Sequence, residues 1–251
     1  MNRNEFFQAL PVARLNIRLT SAALEICTDD IDDVHVMASG DPADMEHLHI
    51  VLTANVLTVE QPVSKKPFRK TPSLNSWIQI TIRLPRSWKG AIDARTVSGW
   101  MNIRGVSGTD LRMDTVSGQL MASDVSFLTI SAHSVAGDIK LHEASSSKCT
   151  LISASGSLTA MRTAFTNGSA STATGLITLD LVAPFEELTV NSATGDICVD
   201  APITECDAVL RSISGRIRTS GVSITAGKSR LRGSTVSSDL ALTNNIESSF
   251  S

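Results

Sequence analysis

The sequence contains no tyrosine, and aromatic residues make up 4% of it. That is too sparse for a protein that stacks bases or sugar rings on a flat aromatic platform. Charge is thin as well: charged residues amount to 19% and the net charge is −3. No basic field exists to hold nucleic acid or an anionic membrane surface. The four cysteines, Cys27, Cys149, Cys198 and Cys206, have neither CxxC spacing nor a disulfide framework pattern, so core thiols in a reducing compartment are expected. The five histidines, His35, His47, His49, His133 and His142, make no HExxH or other ligand spacing, and neither a metal nor a cofactor is expected. Long apolar runs are missing too. Pro11, Arg14, Asn16 and Arg18 interrupt the stretch from Met1 to Leu19, and no later segment approaches 18 uninterrupted apolar residues. The expectation is a soluble cytoplasmic chain, or one at the cell surface if a leader has been removed.

What the chain does have is a repeat. A small residue followed by glycine recurs at Ser98-Gly99, Ser107-Gly108, Ser117-Gly118, Ala136-Gly137, Ser155-Gly156, Thr174-Gly175, Thr194-Gly195 and Ser214-Gly215, with glycine spacings of 9, 10, 19, 19, 19, 20 and 20. Aligned on the glycine, apolar residues alternate on both sides: Leu188 and Val190 before it, Ile197 and Val199 after it, and likewise in other units. Alternation of period two on either side of a turn describes two short strands, each with one buried face. Glycine is expected to supply a positive φ at the turn. The fold class expected is all-β: a β-solenoid of 19- to 20-residue coils, about seven of them, piled into two facing sheets. A last, degenerate unit keeps the register with Leu231, Thr235, Leu240 and Leu242, and has Ser238 where glycine is expected.

Residues 1–84 read differently. Short alternating runs around Leu15–Leu19, Val34–Ala38, His47–Leu52 and Val56–Val59 are punctuated by acidic and glycine-proline turns. They are expected to form an N-terminal tail and an antiparallel β cap over the open edge of a solenoid spanning 85–251. Met1 to Leu10 is read as a short helix or a loose tail.

The run from Ile80 to Met101, with Leu84-Pro85 and Thr96-Val97-Ser98-Gly99, resembles the bacterial "putative adhesin" family of β-strand-repeat proteins. The repeated Ser-x-Ser-Gly-x-Ile-x-Leu pattern that follows carries the same resemblance. It spans roughly Arg14 to Leu242. It implies a stacked, β-helix-like fold with no catalytic residues to carry over. Some relatives are associated with surface adhesion, and others resemble proteins of the bacterial envelope-stress response.

Several residues are candidates for function. Aligning the coils makes Asp180 and Asp200 neighbours, and two stacked carboxylates need a cation, a proton or splayed side chains. Lys65, Lys66, Arg69 and Lys70 form the one concentrated basic patch, ahead of Trp77. Ser131, Thr150, Ser169 and Thr189 make an outward hydroxyl ladder, beside an irregular column of His133, Ile152, Ser171, Asn191 and Arg211. Asp138 and Asp196 follow the turn glycines and are expected to decorate the turns. The expected function is non-enzymatic binding or scaffolding of a protein, glycan or membrane-associated partner, with no nucleic acid and with self-association through a solenoid edge or face. The competing reading is a carbohydrate-active solenoid enzyme using Asp180 and Asp200.

Overall fold

The computed structural model describes residues 1–9, 12–61 and 78–245. Apart from one helical turn at Pro42–Met45, its regular structure is β-strand. The repeated segments stack in parallel. Leu120 pairs with Ile139, Ile139 with Leu158, Leu158 with Ile177 and Ile177 with Ile197, steps of 19, 19, 19 and 20 residues. Across the glycine corner a second row runs Ile92, Leu111, Ile130, Cys149, Gly168 and Leu188. The aliphatic members of both rows are fully buried and belong to one continuous apolar core. Each buried aliphatic side chain contributes about 1.5–3 kcal/mol of transfer free energy, so a one-residue slip of register would forfeit a whole row at once.

The corner glycines stack as well, and their role differs from the expected one. Gly99, Gly118 and Gly175 have positive φ, at 118°, 143° and 146°, but Gly137, Gly156, Gly195 and Gly215 do not. All seven instead share a close backbone approach. A Cβ on Gly118 would sit 1.7 Å from the Gly99 carbonyl oxygen, one on Gly137 2.0 Å from that of Gly118, and one on Gly195 1.9 Å from that of Gly175. Each corner carbonyl points at the next glycine, leaving no volume for a side chain. Three residues before six of the seven glycines, a hydroxyl side chain turns inward and is buried: Thr96, Thr115, Ser134, Ser153, Thr172 and Ser192. Several donate to corner carbonyls, as Ser153 does to Gly137 and Thr172 to Gly156.

Both ends of the stack are interleaved. Strand Arg14–Asp29 is a parallel rung. It pairs with Val56–Glu60 and Ile78–Pro85 on one side, and with Ala91–Ser98 and Met101–Arg104 on the other. The antiparallel pairing expected of the N-terminal region is confined to Asn2–Gln8 on Asp33–Ser39, Asp33–Ser39 on Ile78–Pro85, and His49–Thr53 on Val56–Glu60. The first residues are thus a strand, with the Phe6 ring edge-on to His35 at 4.4 Å, and not a helix or loose tail.

At the other end, the last repeat is not the last rung. Arg230–Thr235 lies between Glu187–Thr194 and Glu205–Ser212, and Leu240–Asn244 lies between Ile197–Ala201 and Ile217–Ser220. Leu240, and not Ile217, therefore follows Ile197 in the inner row. The exchange has a physical rationale. The inserted segment buries Leu231, Leu240 and Leu242 completely, whereas Ile217 on the outer rung remains 43% exposed. Leaving the poorer apolar set at the open end sacrifices less burial. Gly233 lets the insertion fit, because a Cβ there would lie 2.7 Å from Leu240 Cδ1 and 3.0 Å from Leu210 Cδ2.

Two outcomes follow from this arrangement. Amide exchange of the folded protein should be slower in 231–235 and 240–243 than in 208–212 and 217–220, although the former are nearer the C-terminus; equal or reversed protection would contradict the interleaved order. Gly118→Ala should lower unfolding stability by more than about 3 kcal/mol in a denaturant titration, since overpacking against immobile backbone adds to the strained φ.

Candidate functional site

Asp180 and Asp200 are direct cross-strand partners, as the repeat alignment requires. Their carboxylates are drawn to separate donors. Asp180 Oδ2 accepts the Arg162 backbone N–H at 3.2 Å, and Oδ1 accepts the Asn245 side-chain amide at 3.3 Å. Asp200 Oδ1 accepts the Thr243 hydroxyl at 2.8 Å. Thr243 comes from the inserted rung, so the interleaving itself supplies the donor. Among the described residues no three His, Cys, Asp or Glu side chains converge in a way that could hold a metal ion. Lys65, Lys66, Arg69, Lys70 and Trp77 lie outside the described residues.

The turn aspartates act as latches between rungs. Asp138 Oδ1 accepts the Ser157 N–H at 2.9 Å, Asp196 Oδ1 accepts the Asp239 N–H at 2.9 Å, and Asp239 Oδ1 accepts the Arg216 N–H at 2.8 Å. All four cysteines are free. Burial pushes the Cys149 thiol up to about 12 and the Cys206 thiol up to about 11. Cys198 is exposed, but partial burial first, and the Asp200 charge second, raise its pKa too. No thiol among them is activated as a nucleophile.

A chain of ion pairs crosses four neighbouring strands on the outer face. Arg18 makes a bidentate contact to Asp93 at 2.8 and 3.1 Å; Arg95 bridges Asp93 and Asp114 at 3.1 and 3.2 Å; Arg112 also reaches Asp114, at 2.8 Å. Asp114 Oδ1 lies 3.0 Å from His133 Nδ1, and His133 Nε2 lies 3.2 Å from Ser131 Oγ. The residue types match a nucleophilic triad, and Ser131 sits mid-strand between two parallel neighbours, paired with Arg112 and Thr150. The arrangement acts as an inter-strand staple. The repeat spacing contained the signal for it: Asp93-x-Arg95 is followed 19 residues later by the charge-reversed Arg112-x-Asp114.

Interleaving also rewrites the outer columns near the C-terminal end. The hydroxyl ladder Ser131, Thr150, Ser169, Thr189 continues into Arg232, and the column beside it runs Asn191, Ser234, Arg211. Arg232 and Arg211 thereby become diagonal neighbours at a groove of about 500 Å³ lined also by Thr189, Asn191, Val209 and Ser234. Asn191 Oδ1 accepts the Ser234 hydroxyl at 2.6 Å. A contiguous depression of about 260 Å³ is lined by Lys148, Thr150, Asn167, Ser169, Glu187 and Thr189. Reading repeats in chain order hid this groove, because that order sets Val209 beside Thr189.

Residues 12–234 match the Toastrack DUF4097 family. The chain belongs to that family. No curated protein sequence matches it. Solved structures share its fold at low identity. A "putative adhesin" from Parabacteroides distasonis is 12% identical with a TM-score of 0.62, covering 96% of this chain and 97% of that one. A "putative lipid binding protein" from the same organism is 16% identical, TM-score 0.62, covering 96% of each chain. A "putative adhesin" from Parabacteroides merdae is 9% identical, TM-score 0.62, covering 96% and 95%. At these identities the likeness defines the toastrack-like all-β fold alone.

The ion-pair chain makes stability depend on pH. Burial alone would push the Asp93 carboxyl up, but hydrogen bonds and charge from Arg18 and Arg95 outweigh it and hold the carboxyl below its ordinary range. With a depressed pKa in the folded state, the stabilisation is present above the ordinary carboxylate value and is lost as pH falls through the folded value. The thermal midpoint should therefore decline below about pH 4, and Asp93→Asn should flatten that decline while lowering the midpoint at pH 7. An unchanged pH profile in the variant would contradict the assignment.

Proposed function

We propose that this protein is a non-enzymatic binding or scaffold protein of the adhesin type, a rigid β-solenoid of 19- to 20-residue coils that acts at the bacterial envelope or in surface interaction. The observation that carries this reading is the long outer face, on which side chains from successive parallel strands line up in register at about 4.8 Å intervals. Because every rung is fixed by corner backbone contacts and by the buried rows, the face presents its side chains without an ordering cost at the moment of binding. The names of the fold neighbours, adhesins and a lipid binding protein, are in keeping with a binding role. A protein, glycan or membrane component of the envelope is the class of partner this face suits, and self-association through the exposed rung at 205–220 is a second use of the same architecture.

The carboxylate pair does not favour the enzyme reading, since Asp180 and Asp200 are each occupied by neutral donors. Incubated with a panel of polysaccharides, the protein should release no product. Immobilised protein should instead capture a component of envelope fractions at stoichiometric levels. Product release that disappears in Asp180→Asn or Asp200→Asn would overturn the binding-protein reading in favour of hydrolysis or lyase chemistry.

A further inference from the structure

We infer that the groove between Arg211 and Arg232 is a binding site for an acidic polysaccharide, a chain of carboxylate-bearing sugars lying across the rungs. This rests on the binding-protein reading above and names the ligand class for one part of its face.

The first support is charge that has no internal use. Neither guanidinium has a carboxylate or hydrogen-bond partner among the described residues. Elsewhere on the outer face, Arg18, Arg95 and Arg112 are paired, and register sets Arg230 between Glu187 and Asp207. Arg232 instead has Thr189 on one side and Val209 on the other, and Arg211 has Ser234. The six residues lining the groove besides Gly233 include two cations, two hydroxyls and one amide, and no acid. In a chain whose net charge is −3, two unneutralised guanidinium groups on neighbouring rungs are a local departure. Planar guanidinium groups bind carboxylates in bidentate fashion.

The second support is the lining that continues away from the arginines. Thr189, Ser169 and Thr150 repeat a hydroxyl on each rung, with Asn167, Lys148 and one acid, Glu187, alongside, and register sets Glu187 beside Arg230. Donors and acceptors spaced at about 4.8 Å along a straight track suit a polymer that offers hydroxyls and charges at regular intervals. An anionic bilayer would be met better by a dense cationic patch or an apolar wedge, and an added peptide strand would need a free sheet edge, whereas this track lies on a strand face. With no exposed aromatic ring in the lining, affinity must come from charge and hydrogen bonds, and so should weaken with salt.

The test uses the full chain with polygalacturonate and with its methyl-esterified form, which keeps the sugar hydroxyls and removes the charge, followed by isothermal titration at low and high salt. The expected result is binding of polygalacturonate that weakens at least tenfold on esterification and at least tenfold in the Arg211→Ala/Arg232→Ala double variant. The Arg211→Lys/Arg232→Lys variant should fall between. Unchanged exchange protection in 188–201 would show that the variants are folded. Equal binding of both polymers, or binding unaffected by the substitutions, would overturn the site. So would binding to anionic phospholipid vesicles in place of polygalacturonate. If polygalacturonate does not bind but wild type and double variant both capture the same envelope component, the groove assignment falls and the binding-protein reading survives. If neither is bound, both fall.

Discussion

The structure depends on backbone-to-backbone contact at one corner. Each turn glycine lies so close to the carbonyl of the corner residue on the neighbouring rung (a glycine for five of them, Ala22 for Gly99 and Ser238 for Gly215) that a side chain cannot be accommodated, and this holds whether or not φ is positive. That contact fixes the height and register of each rung relative to the next. Register in turn decides which face of a strand is buried, because side chains alternate with a period of two. Once the corner is set, the inner rows of leucine, isoleucine and valine close on one another and the outer columns line up without further instruction.

Polar contacts at the same corner and along the strands hold the rungs together as well. Turn aspartates cap N–H groups of the next rung, and cross-strand ion pairs knit the outer face near the N-terminal end. These polar links add little hydrophobic energy. They satisfy backbone groups and charges that would otherwise be costly to leave partly buried, and they leave the outer face rigid enough for its side chains to serve as a template. The two ends of the stack share one device, a strand enclosed by two others: Arg14–Asp29 at one end, and Arg230–Thr235 with Leu240–Asn244 at the other. At the second of these ends the outermost rung is an internal segment, 205–220, and not the last repeat.

The binding role proposed for the face rests on where charges are neutralised and where they are not. Near the N-terminal end every arginine of the outer cluster has an aspartate. Near the C-terminal end Arg211 and Arg232 do not, and they sit at the end of a hydroxyl track. The carboxylates at Asp180 and Asp200, the more obvious pair in the sequence, are instead absorbed into the structure by Asn245 and Thr243.

Much of this was legible in the sequence. The glycine spacings and period-two aliphatics determined the all-β class, the parallel repeat and the juxtaposition of Asp180 with Asp200, because a fixed period maps directly onto neighbours in a stack. The charge-reversed Asp93-Arg95 and Arg112-Asp114 pairs were readable by the same rule. The order of rungs at the two ends was not. Pairing between strands distant in the chain is chosen by comparing the burial of whole alternatives, and no local period encodes that comparison. Insertion of 230–244 inside 205–220, and of 14–29 between 56–85 and 91–104, therefore had to come from the tertiary structure, and with it the donor to Asp200 and the groove between Arg211 and Arg232.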